Sequence, residues 1–246
     1  MAADREEVTV HTMNPVHRRG PVFYASLPRD PAPLKGHGTN GEDAKLRLVS
    51  ILWDHLMAMG SPHWPFYRSS NKSAFPIQVV RDPLGKPQLL LGAHRGPAIS
   101  FSEVGGIVWA ALCGDESDIG IDVAETVEFQ GRYPLHRVFN VQELQHVLKL
   151  EDGDLEKASA LLWSVKEAVV KALGCAFHLL EPLQIHVCPS IERGDGVGRD
   201  GYTFPVRLSG QALARFTTGA GLSLWVRSFP QVKMWLSIAV LNRHVE

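Results

Sequence analysis

The sequence predicts an α+β fold built as two similar halves, joined near Asp115 to Gly120. Three observations carry that prediction. The 246 residues, 45% of them hydrophobic, are enough to bury a sizeable core as one large domain or two small ones. The order strand, helix, several strands occurs twice along the chain, without any short sequence repeat. Finally, the stretch Leu155 to Leu173 has the 3.6-residue apolar period of an amphipathic helix and stands between strand-like segments.

In chain order, residues 1–20 are expected to form an N-terminal extension or an edge strand around Val8–Val10, followed by a short strand Val22–Ala25. Pro28 to Gly41, rich in proline and glycine, is a loop. A helix begins at Glu42-Asp43, with acids in its first turn. Leu46, Leu48, Val49, Leu52, Leu56 and Met57 continue its period to Met59, before Gly60-Ser61-Pro62 ends it. Trp64 to Ser73 has no regular pattern. Ile77–Arg81 reads as a strand, Asp82 to Pro87 as a turn, and Gln88–Leu91 as a short strand. Ala98–Ser102 and Gly106–Leu112 read as neighbouring strands, and Ile119–Val123 as an apolar strand with Asp122 near its end.

A helix over Val138–Leu150, with Asn140 as a candidate cap, precedes the turn Glu151–Asp154, whose last residue can cap the long helix. That helix stops at Gly174. The remainder is β-rich, with strands at Gln184–Val187, Tyr202–Leu208, Leu222–Phe229 and Met234–Leu241 around the glycine-rich loop Arg193–Gly201. The domain boundaries that follow are 1–20 for the extension, 21–117 for the first half and 118–246 for the second.

Composition narrows the classes of function. With 25 basic residues against 26 acidic ones, the chain lacks the basic excess of a protein that wraps nucleic acid. Its three cysteines, Cys113, Cys175 and Cys188, have no paired spacing, which argues for reduced thiols rather than a zinc site or a disulfide framework. No secretory signal opens the chain, and its most apolar stretch, Ile107–Cys113, is too short to span a bilayer. A cytoplasmic protein with no membrane partner is the expectation.

On the long helix, Leu161, Val165, Ala168, Val169 and Ala172 share one side, and Ser164, Glu167 and Lys171 share the other. The first side is core; the second offers chemistry. A carboxylate and an ammonium one turn apart are, by themselves, a surface ion pair worth a few tenths of a kcal/mol. Asp122, by itself, is either the exit of its strand or a functional intrusion into it. Their joint order carries more. Gly120-Ile121-Asp122, followed 45 residues later by the glutamate of Trp163-Ser164-Val165-Lys166-Glu167-Ala168 and then by Lys171, resembles the signature of the 4′-phosphopantetheinyl transferases. Within them it resembles the Sfp-type branch, a pseudo-dimer of two similar α+β halves. Glu42-Asp43-Ala44, Gly85-Lys86-Pro87, Ile99-Ser100 with Ser102, and Lys233-Met234 before Ser237–Val240 extend the resemblance over most of the chain.

The resemblance implies transfer of the phosphopantetheine arm of coenzyme A to a serine of an acyl or peptidyl carrier protein by a monomeric, Mg²⁺-dependent enzyme, with release of adenosine 3′,5′-bisphosphate. By motif position, Asp122 and Glu167 resemble the metal ligands; Glu125, one place past the usual second acid, is a third ligand only where a bulge or the strand's end turns it toward Asp122, and a water could take that place instead. Glu167 also resembles the general base, acting directly or through water, and Lys171 the lysine that stabilises the leaving phosphate. Lys86, Ser100 and Lys166 resemble coenzyme-binding positions, joined by Lys45 and Arg47. The carrier would dock along Thr126 to Leu144, where Arg132, His136 and Arg137 suit an acidic partner. Two residues depart from the pattern: Phe101 replaces a histidine that binds the 3′-phosphate, a role open to Lys35 or Arg47, and Ala124 stands where a second acid is usual. Those departures keep open a non-catalytic coenzyme A or carrier-binding relative. The acid and lysine set keeps open a metal-dependent phosphodiesterase.

Overall fold

The computed structural model describes residues 8–14, 20–29, 40–60, 64, 77–131, 133–177, 179–193, 201–216 and 221–243. Most of the loop expected at Pro28–Gly41, the irregular stretch after Trp64, most of the glycine-rich loop, and Lys35 and Arg132 lie outside them. The chain forms two compact units, residues 1–80 with 88–116, and residues 81–87 with 117–246. The fold is mixed α+β with two sheets.

The first unit contains β1 (His11–Met13), β2 (Val22–Pro28), α1 (Asn40–Met59), β3 (Ile77–Arg81), β4 (Pro87–Leu91), β5 (His94–Val104) and β6 (Ile107–Cys113), in the sheet order β1-β2-β6-β5-β4-β3. Leu48, Val49, Leu52 and Leu56 of α1 form one cluster with Phe23, Ala25 and Leu27 of β2 and Val108, Ala110 and Leu112 of β6. The edge strand is His11–Met13 rather than Val8–Val10. His11 pairs with Tyr24 and stacks on its ring at 5.0 Å, while Val8 and Val10 pack against the hydrophobic cluster instead.

The second unit contains β7 (Asp118–Glu125), α2 (Val141–Leu150), α3 (Leu155–Leu173), β8 (Ile185–Val187), β9 (Glu192–Arg193), β10 (Tyr202–Leu208), α4 (Gly210–Phe216), β11 (Leu222–Gln231) and β12 (Met234–Arg243). Its sheet runs β7-β12-β11-β10-β8, with β9 beside β10. The long helix lies over β7 and β12, burying Leu161, Leu162, Val165, Ala168, Val169 and Ala172. Asp154 caps it by accepting from the Lys157 amide at 3.0 Å, and Gly174 ends it in the left-handed region at φ 73°.

Helix α2 starts at Val141, three residues later than expected. Asn140 and Glu143 form a reciprocal capping box there, and Leu135–Arg137 forms a separate 3-10 turn. The seven-residue α4 was not expected; with only Ala212 buried it has no apolar period to read. No helix among the described residues is long and apolar enough to cross a membrane.

Candidate active site

The site begins with a missing side chain. A Cβ on Gly120 would lie 1.9 Å from the carbonyl oxygen of Ala168 and 2.6 Å from the amide nitrogen of Ala172, so only glycine lets the backbone of α3 rest on β7. Two residues along the same strand face is Asp122, which is 6% exposed. The Lys171 ammonium donates to Asp122 Oδ1 at 2.7 Å and to the Ile121 carbonyl at 3.1 Å. Asp122 is therefore a buried mid-strand residue rather than a strand exit, because β7 continues to Glu125.

One turn before Lys171 stands Glu167. Burial first, and then the Asp122 carboxylate, push its pKa up to about 7 against the opposing pull of Lys171, and Glu128 adds to the rise. The Tyr133 hydroxyl is also raised, by burial and then by Glu128 and Glu167. Aromatic rings adjoin these groups: Tyr133 meets Trp163 edge-on at 6.4 Å, and Trp163 lies 5.1 Å from Phe177.

Two carboxylates in mutual repulsion, with the Lys171 ammonium beside them, form a donor set that a hard divalent cation suits. Mg²⁺ is commonly held by one or two carboxylates, with waters and substrate phosphates filling its octahedron. Asp122 and Glu167 supply that number. No group of three or more His, Cys, Asp or Glu side chains among the described residues is arranged to hold a metal ion. Glu125, expected as a third ligand, is corrected by strand alternation. It pairs with Met234 on an unbroken register, falls on the face opposite Asp122, and uses its carboxylate to accept the Glu128 amide in a cap. Ala124, on the Asp122 face, is core beside Trp235.

Lys166 is also corrected. Expected at a phosphate, it is 0% exposed, 2.5 Å from Glu143 Oε1, and donates to the Val138 and Pro182 carbonyls at 2.8 and 2.9 Å. Ser164, on the side of α3 assigned to chemistry, is equally buried. Its hydroxyl bonds the Leu161 carbonyl at 2.9 Å and Ser237 Oγ at 2.7 Å, and Ser237 in turn bonds Ser228 at 2.8 Å.

Lys86 sits in the second unit on the turn before β4. It pairs with Asp118 at 2.5 Å and donates to the Ala172 carbonyl at 2.9 Å, a cation placed on the last turn of α3. Any phosphate reaching that ammonium shares it with Asp118. Lys45, Arg47 and Ser100 belong to the first unit: Lys45 pairs with Glu42 at 3.0 Å, Arg47 is exposed, and Ser100 is buried on β5 opposite Ala111. Phe101 packs against the first unit's cluster. The second unit thus brings Asp122, Glu167 and Lys171 together. Glu128, which acts on Glu167, and Tyr133, on which Glu167 acts, had no signal in the sequence, because both lie in a segment without apolar period.

Residues 118–216, which include these three side chains, match the family model of the 4′-phosphopantetheinyl transferase superfamily. The matched span lies within the second unit. No curated protein matches the chain. Among solved structures, an ACPS–CoA complex from Chronobacterium ammoniagenes is 18% identical, with a TM-score of 0.41. An apo-ACPS structure is 19% identical at the same TM-score. Each similarity covers 52% of this chain and 98% of the other.

Proposed function

We propose that the chain is an Sfp-type enzyme of two related halves. It transfers the 4′-phosphopantetheine group of coenzyme A to a serine of an acyl or peptidyl carrier protein and releases adenosine 3′,5′-bisphosphate. The observation that carries this reading is the Asp122–Lys171 pair with Glu167 beside it, inside the matched span. The carrier serine oxygen forms a bond to the β-phosphorus while the pyrophosphate P–O bond on the adenosine side breaks. Glu167 takes the serine proton, directly or through a water. Lys171 offsets the charge gathering on the departing phosphate. Asp122 and Glu167 are the residues that would hold Mg²⁺, and when bound the ion supplies neutralisation of pyrophosphate charge. Lys86 is the proposed coenzyme contact of the second unit, and His136 and Arg137 are the proposed carrier contacts.

The test is intact-mass analysis of a panel of apo carrier proteins incubated with the chain, Mg²⁺ and coenzyme A. One phosphopantetheine gained on a carrier serine, and lost with Glu167→Ala and Lys171→Ala, is the expected result. Coenzyme A binding without mass gain on any carrier would favour a non-catalytic binding relative. That second reading draws on Phe101 and Ala124, which are packed apolar residues at the two departing positions.

A further inference from the structure

The most deeply buried ion pair takes no part in the chemistry above. Lys166 is 0% and Glu143 5% exposed, yet between them they reach five chain segments. From α3 the ammonium meets Glu143 of α2, the Val138 carbonyl just past the Leu135–Arg137 turn, and the Pro182 carbonyl that opens another short turn. It also lies 5.7 Å over the Phe139 ring. Glu143 Oε1 accepts the Asn140 amide at 2.7 Å, and its Oε2 accepts the Val187 amide of β8 at 3.1 Å. Stability alone does not call for such a pair, because packed apolar residues often hold a core as well as or better than a buried ion pair. What the pair adds is direction: it fixes two carbonyls and two amides at set positions.

Those positions frame one face. Arg137 precedes the held Val138, Val141 follows the held Asn140, and Leu183 follows the held Pro182. Val141 is 70% and Leu183 36% exposed, with His136 and Arg137 exposed beside them. Asn140 Nδ2 donates to the Leu183 carbonyl at 3.4 Å, joining the two turns. An apolar step bordered by the Arg137 guanidinium fits an acidic protein surface that presents an apolar side chain.

We infer that Lys166 is a positioning residue: through Glu143 and the two carbonyls it holds the face of Arg137, Val141 and Leu183 in the shape that receives the carrier protein. This rests on the transferase reading. Lys166 therefore sets affinity for the carrier and leaves the chemical step to Glu167 and Lys171.

The experiment is steady-state kinetics on the full chain carrying Lys166→Met with Glu143→Gln, which removes both charges and keeps side-chain volume. The expected result is a folded protein whose KM for the carrier rises about tenfold, equivalent to about 1.4 kcal/mol. Its kcat at saturating carrier and its KM for coenzyme A should stay within about twofold, well inside that tenfold interval. An unchanged carrier KM, or kcat and both KM values moving together, overturns the inference. Should the double variant fail to fold, Glu143→Gln alone is held to the same criteria. If the unmodified chain modifies no carrier, the transferase reading fails on its own. Fluorescence anisotropy of a labelled apo carrier then decides this one: binding that weakens in the variant supports the positioning role, whereas equal binding, or none by the unmodified chain, overturns it.

Discussion

Glu167 carries its charge against three opponents, burial, the carboxylate of Asp122 and that of Glu128, with Lys171 only partly offsetting them. Its pKa of about 7, against an ordinary 4.5, has a definite sign for stability. Between those values the folded chain binds the proton more tightly than the unfolded one, so stability falls as pH rises through that window. The shift corresponds to on the order of 3 kcal/mol across it. Chemical denaturation at low ionic strength with chelator present, from pH 5 to 8, should show that decline. Glu167→Gln, which carries no charge at any pH, should flatten it. A slope unchanged in the variant would assign the decline to other groups.

At the scale of elements, the site depends on how closely α3 approaches β7, and Gly120 sets that approach. Gly120→Ala places a methyl group against the backbone of Ala168 and Ala172, which no rotamer change relieves. The expected cost is about 3 kcal/mol or more, read from a urea midpoint. Where the chain still folds, loss of the pH response of Glu167 should accompany it, because the strand carries Asp122 away from the helix. Local rules made these elements legible. The apolar period of Leu155–Leu173, its Asp154 cap and its Gly174 stop are all contiguous in sequence, and the helix has the expected bounds. What was not legible depends on who closes over a helix face. Lys166 and Ser164 occupy positions that a helical wheel leaves to solvent, but Val138, Pro182 and Glu143 cover one and Ser237 meets the other. None of those partners is closer than 16 residues in sequence to the side chain it covers. Asp122 was ambiguous for the same reason: the lysine that pairs with it is 49 residues away.

At the scale of the whole molecule, the formal charge of −1 hides a local excess of negative charge around Asp122 and Glu167. Composition can exclude a nucleic-acid wrapper, but it cannot locate such a concentration; the spacing of the motif did so by bringing the two acids into one pattern. If the two carboxylates are the Mg²⁺ ligands, cation binding to the folded state must stabilise the whole chain by mass action. A free concentration of one hundred times Kd contributes about 2.7 kcal/mol. In a chain of this length each kcal/mol moves Tm by roughly 2–4 °C. Differential scanning calorimetry at pH 8 should therefore show Tm rising by roughly 5–10 °C between chelator and saturating Mg²⁺. Asp122→Asn and Glu167→Gln should each remove most of that rise; Glu167→Gln should leave the chelated protein no less stable than its parent at that pH, because it relieves carboxylate repulsion, whereas Asp122→Asn also breaks the pair with Lys171 and lowers the chelated Tm. A Mg²⁺-dependent rise of equal size in both variants would place the cation elsewhere, and would leave Lys171 as a counter-charge to these acids rather than a partner of a bound cation.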